Sequence, residues 1–175
     1  MGAVKVLRGN ASIWAVRPEA FADWTIPISL AAWSKALASG LIIDISKSVE
    51  DSYSLNATGQ ATDSSQSMTD VAEIETPTFI EYEASLDIFR NKPGTTDDLG
   101  YEQTVSLFNG IDIIWYLVKR TDKLQSAPVE VGDILSSFEV STDYSPDMTG
   151  DSEMTMFGAR FKTPGTVRPH LTVTA

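Results

Sequence analysis

Three carboxylates, Glu81, Glu83 and Asp87, share one side of a run that alternates like a strand from about Thr78 to Phe89. The other side of that run, Ile80, Tyr82, Ala84, Leu86 and Ile88, is apolar. Arg90, at the end, is the nearest base in sequence. Carboxylates can serve as general acids and bases, but such work needs partners of the right kind. The single histidine, His170, follows Pro169 near the end of the sequence and reads as a surface residue. No Gly-x-Ser-x-Gly elbow or Ser-x-x-Lys pair is present to supply an activated nucleophile. No Gly-x-Gly occurs, so neither a dinucleotide fingerprint nor a phosphate-cradling loop is encoded. Asp97 and Asp98 stand where a helix begins, and their types fit capping and dipole pairing. The acidic segment 143–153 has a superficial likeness to a calcium loop. Counting from Asp143 places Met148, not glycine, at the sixth position, which rejects an EF-hand. The chain has no cysteine, so disulfides, thiolate catalysis and cysteine zinc sites are out. No enzyme, cofactor or metal site is expected.

The elements that position these residues are mostly strands. Residues 1–17 have extended character, and Pro18 interrupts them. Residues 28–40 predict a short helix: Ser29 caps it, Leu30, Trp33 and Leu37 recur at helical spacing, and Gly40 ends it. Residues 41–46 are β-branched and strand-like. Residues 56–70, rich in Ser, Thr, Asp and Gly, predict a long flexible loop of a length that is uncommon in compact domains and often functional. After 78–89 comes a turn over 91–98. A helix then starts from a Thr96 or Asp97 cap, carries Tyr101, Val105 and Phe108 on one face, and closes at Asn109-Gly110. Residues 111–120 are apolar on both faces, which predicts a central strand covered on one side by a second sheet and on the other by the preceding helix. Strands follow at 134–143, 154–161 and 170–174, with loops at 121–133 and 145–153. The sum is a mainly-β single domain over 1–175, a β-sandwich or barrel with a flanking helix, a long inter-strand loop and extended termini. Trp24, Trp33 and Trp115 read as core. An exposed Trp14 and Trp24 platform, as in a carbohydrate-binding β-sandwich, is an alternative that this reading leaves open.

Charge narrows the partners. The net charge is −11, but its distribution is uneven. Residues 1–49 hold five bases and three acids, residues 50–98 two bases and eleven acids, and residues 99–175 six bases and ten acids. A chain without a basic stripe does not grip nucleic acid through its phosphates. Its longest apolar run, from Ile111 to Val118 and broken by Asp112, is far short of the ~20 residues that a membrane helix needs. MGAVKVLRGN has no apolar signal-peptide core, and without export the acceptor patterns at Asn10 and Asn56 carry no weight. What is left is a long polar loop, an acidic strand and extended termini, which are features of a protein that assembles.

The stretch 52–90 resembles the major tail proteins of long, flexible, non-contractile-tailed phages, particularly those infecting actinobacteria. The likeness lies in an ordered set: Tyr53-Ser54-Leu55-Asn56-Ala57-Thr58, the Ser/Asp/Thr-rich loop, Glu75-Thr76-Pro77-Thr78-Phe79, then Tyr82-Glu83-Ala84-Ser85-Leu86 and the Phe89-Arg90 end. A Gly110-led strand ending in Val118-Lys119-Arg120, Val131-Gly132-Asp133 and Thr142-Asp143-Tyr144 extend it to about residue 145. The resemblance implies a structural tail tube subunit. Such subunits form rings, usually of six, that stack into a tube assembled in the host cytoplasm and retained in the virion. Its partners would be copies of itself, the tape-measure protein, the tail terminator and the tail-tip proteins, with DNA transported and not specifically bound. In such a tube Glu81, Glu83 and Asp87 are expected to face the lumen, where carboxylates would repel phosphates and remain hydrated. Thr58, Gln60, Thr62, Asp63, Ser64 and Gln66 would contact the neighbouring ring or subunit. The tube component of a contractile tail or secretion machine shares this fold and is the nearest alternative.

Overall fold

The computed structural model describes residues 11–24, 27–50, 53–65, 74–91, 100–145, 147–149, 155–162 and 167–175. Ten strands and two α-helices are laid out along this chain: β1 (Ser12–Val16), β2 (Ile28–Ser29), α1 (Leu30–Ala38), β3 (Ile42–Asp44), β4 (Ser54–Ser65), β5 (Ile74–Phe89), α2 (Tyr101–Phe108), β6 (Ile114–Arg120), β7 (Ile134–Thr142), β8 (Asp147–Thr149), β9 (Thr155–Lys162) and β10 (Val167–Thr174). The strands form one open sheet, ordered β3-β1-β6-β7-β9-β5-β4. β10 also pairs with β7 and, in parallel, with β2, and β8 pairs with β9.

The sheet folds over on itself into a sandwich, and β7 makes the corner. β7 lies beside β6 through most of its length, then meets β9 at Ser141↔Lys162 and Thr142↔Phe161. The chain continues along the same edge of β9: the Asp143 N–H donates to the Arg160 carbonyl at 2.9 Å, and β8 pairs farther along, Asp147 opposite Phe157. One layer is therefore β3-β1-β6-β7-β10, and the other is β4-β5-β9-β8. A strand that passes from one layer to the next is the usual way to turn such a corner.

Two cores follow from strict alternation along the central strands. Ile13 and Ala15 of β1, Trp115 and Leu117 of β6, and Phe138 and Val140 of β7 point between the layers and meet Ala84, Leu86 and Ile88 of β5 and Phe157 and Ala159 of β9. Trp14 and Val16, Val118, and Leu135 point the other way and meet Leu171 and Val173 of β10, Trp33 and Ala36 of α1, and Phe21, Trp24 and Ile28. Each fully buried side chain of this size contributes about 1.5–3 kcal/mol of transfer free energy. Residues 114–120 do form the doubly covered strand that the sequence predicts, with one correction. The preceding helix, α2, packs on the same side as the second sheet, Phe108 against Trp115 at 5.8 Å. It is α1 that covers the other side.

Local signals explain α1. The Ser29 side chain accepts the Ala32 N–H at 3.2 Å, satisfying an orphan donor of the first turn. Gly40 follows the helix at φ +74°, where a side chain would be strained. The expected Thr96 or Asp97 cap of α2 is replaced by Gly100, also at φ +74°. Residues 92–99, including Asp98, lie outside the described residues.

Two further expectations are corrected. Residues 56–65 are not an irregular loop but most of β4, paired with β5 out to Ser65↔Ile74. Ladder bonds need only backbone, so a run of small polar residues forms a strand when a partner strand runs beside it. The register shifts between Ala57 and Gly59 and again between Ala61 and Thr62, which bends the ribbon. Gln66 and residues 67–70 lie outside the described residues. The Trp14 and Trp24 platform does not exist. Trp14 is 6% exposed and Trp24 7%, Trp14 set edge-on against Trp33 at 5.4 Å and Trp24 stacked on Tyr116 at 3.8 Å. With both rings in the core, no flat aromatic surface is offered to a sugar.

Candidate functional site

The outer face of the β4-β5-β9-β8 layer carries the acidic strand. Even-numbered β5 residues turn into the core: Ala84, Leu86 and Ile88 are buried, and Tyr82 packs on Phe138 at 6.2 Å. The odd-numbered residues Glu83, Ser85 and Asp87 therefore take the face away from the core. Glu83 is exposed, stands opposite Asn56 of β4, and accepts a hydrogen bond from the Ser54 hydroxyl at 3.3 Å. Asp87 is half-buried and stands opposite Gly158 of β9. Glycine leaves that place empty, and the Arg160 guanidinium, two positions along, donates to Asp87 Oδ1 at 3.1 Å. Glu81 lies farther along β5, with its backbone in register with Gly59. Thr58 lies within the β4 span, and Gln60, Thr62, Asp63 and Ser64 are on that strand in register with Ile80, Pro77, Thr76 and Glu75.

Sequence reading missed the cations of this face. Arg160 and Lys162 belong to β9, on the side opposite the core-facing Ala159 and Phe161. Lys162 lies within 3.7 Å of Asp112 and 3.5 Å of Asp143. Arg90, the base nearest in sequence, reaches Glu102 of α2 at 3.1 Å. The same Glu102 accepts the Asn91 N–H at 3.0 Å and sits in the first turn of the helix, where a negative charge is favoured. The described part of the face is thus mixed in charge.

The edges of this layer matter as much as its face. Among the described residues, β4 pairs on one side only, with β5, and β8 on one side only, with β9. β5 meets β9 only over Ser85–Phe89, so its residues 74–84 have β4 as their one strand partner among the described residues. A two-stranded ribbon is at best marginally stable in water, and an unpaired edge is a template for another chain.

A second polar cluster is structural. Arg120, at the end of β6, is fully buried. Its guanidinium donates to the carbonyls of Pro128, Leu124 and Ala127, to the Ser12 hydroxyl and, at 3.0 Å, to Asp133 Oδ2. Asp133 also accepts from the Glu130 N–H and pairs with Lys123 at 2.6 Å. Burial pushes its carboxyl upward, but the hydrogen bonds from Lys123, Glu130 and Arg120 outweigh that and hold it below its ordinary value. Both residues belong to the ordered set quoted above, at the ends of 118–120 and 131–133, and together they pin the loop 121–133 onto the sheet.

The described residues build a mainly-β protein, a sandwich of two layers within one open ten-stranded sheet, with two helices. The chain belongs to the phage tail tube protein family, which it matches over residues 3–175. It is accordingly a structural component of a phage tail, a part of the virion, in a family whose members build a tube and contact other tail proteins. No curated protein matches it.

Proposed function

We propose that this chain forms rings, six copies to a ring, that stack into the tube of a long non-contractile tail. The observation that carries the reading is the β4-β5-β9-β8 layer, which ends in two strands each paired on one side only among the described residues. Joining β4 of one copy to β8 of the next around a ring would cover the two outermost edges of this layer. The layer would then be the wall of the bore, with the face that bears Glu81, Glu83 and Asp87 toward the lumen. Genomic DNA carries one phosphate charge for every ~1.7 Å of its axis, and a wall that does not hold phosphates lets it slide. Arg160 is tied to Asp87, which keeps this cation from offering itself freely to phosphate. The distal part of β4, with Thr58, Gln60, Thr62, Asp63 and Ser64, would contact the neighbouring subunit or ring, and Gln66 would join them in that contact. The tape-measure protein would occupy the bore before DNA passes, and the terminator and tip proteins would meet the two ends. Assembly would take place in the cytoplasm of the host, an actinobacterium by the resemblance of 52–90.

Negative-stain microscopy of the purified chain tests this. Hollow tubes or rings are expected, and a chain that stays monomeric at high concentration would overturn the reading. Replacing residues 60–80 with an Asn-Gly turn, which closes a tight hairpin after Gly59, should leave a folded subunit that builds no tubes. Normal tubes from that variant would remove the hairpin from the contact.

A further inference from the structure

Eight large apolar residues are exposed among those described, and seven of them fall at the two ends of the β6–β7 strand pair. At the end where β6 begins lie Ile111, 63% exposed, with Ile113, Ile114 and Tyr144. At the end where β7 begins lie Leu124, 62% exposed, with Val131 and Ile134. The eighth, Leu37, is on α1. The strand pair between the two groups is a single ladder: Ile114 opposite Ser141, through to Lys119 opposite Ser136.

Both ends are held in place. At the first, Asp112 is the one non-glycine residue with positive φ among those described, at +60°. Its N–H donates to the Thr142 carbonyl, the Ile113 N–H to the Thr142 hydroxyl, and the Thr142 N–H to the Ile113 carbonyl. Positive φ is uncommon outside glycine, and aspartate is one of the residues that tolerate it, so these three hydrogen bonds hold the turn in a defined conformation. At the second end, the buried Arg120–Asp133 pair fixes the loop that carries Leu124 and Val131. Exposed aliphatic groups on rigid backbone lose little freedom on contact, which favours binding.

We propose that these two groups are the two halves of one contact, by which a copy of this chain stacks end to end on the next. A foreign partner, or a bilayer, would need one apolar patch. Two patches at opposite ends of one rigid ladder suit a head-to-tail contact, which does not close on itself and so propagates. The inference rests on the tube reading above, and it adds which surfaces meet between successive rings.

Two variants test it: Ile111→Lys with Ile113→Lys at the first end, and Leu124→Lys with Val131→Lys at the second. The altered side chains are exposed, and thermal unfolding checks that each variant is folded; if a lysine variant is not, the matching serine variant replaces it. Sedimentation and microscopy then read association of each variant alone and of the mixture. Neither variant alone should stack, while rings assembled separately from each variant and then mixed should form pairs of rings that grow no further, since one intact first end then meets one intact second end. Stacking by either variant alone, or a mixture that stays unpaired, overturns the proposal. Failure of the wild-type chain to build tubes would count against the proposed function instead, because pairing in the mixture is read separately.

Discussion

The molecule contains two arginine–aspartate pairs of nearly equal length in opposite surroundings. Arg120–Asp133 spans 3.0 Å with side chains 0% and 3% exposed, and Arg160–Asp87 spans 3.1 Å with side chains 40% and 22% exposed. Distance alone would rank them as equals. Burial separates them. The inner pair has given up its water and replaced it with three loop carbonyls, a serine hydroxyl and a second cation, so removing either partner strands a charge. The outer pair has water as an alternative partner and loses little when broken. One pair therefore belongs to folding. The other belongs to a surface.

The largest effect that would test this contrast is at the inner pair. Arg120→Ala should cost about 3–5 kcal/mol, read as a lower midpoint in urea unfolding. A loss below about 1 kcal/mol would place the two pairs in the same class. Next is the pH response. Asp133 has its carboxyl held below the ordinary value in the folded state, so its contribution is fully present above the unfolded carboxylate range, near pH 4, and is lost as pH falls through the folded value. Asp133→Asn should therefore lower stability at neutral pH and flatten the acid limb of a stability–pH curve. An unchanged acid limb would sink the assignment. Arg160→Ala should cost less than about 1 kcal/mol in the same unfolding assay, while removing the guanidinium hydrogen bond to Asp87 Oδ1. Smallest of all, Lys162→Ala should change stability by no more than about 0.5 kcal/mol, since its contacts at 3.5 and 3.7 Å are long and its side chain is more than half exposed.

What could be read from the sequence follows the range of each cause. Ser29 and Gly40 act within one turn of α1, and both were legible. The alternation from Tyr82 to Ile88 is a period-2 pattern, and it correctly set even residues inward and odd residues outward. The double covering of β6 showed as apolarity on both faces. The partners of its charged end did not, because Ser12 and Asp133 reach Arg120 only once the chain has folded back. An arginine and an aspartate at the ends of two otherwise apolar runs were the available signal. Asp87 looked unbalanced for the same reason: Arg160 is 73 residues away. The strand through 56–65 was hidden because its residues have weak strand preference, and its partner β5 supplies the pairing. Trp14 shows the converse limit, since composition cannot tell a buried aromatic from a displayed one, whereas Trp24 lies in the core as its apolar sequence context indicates.

The corner at β7 has a mechanical meaning. Because one continuous segment lies along β6 and then along the edge of β9, the two layers are joined by covalent bonds as well as by apolar contact. Sliding one layer across the other would load the ladder bonds at Ser141 and Thr142 together with the chain itself, and could not open them singly from a free end. A load applied to one layer is thus shared by the other, and the sandwich resists shear as a folded plate does, through its crease.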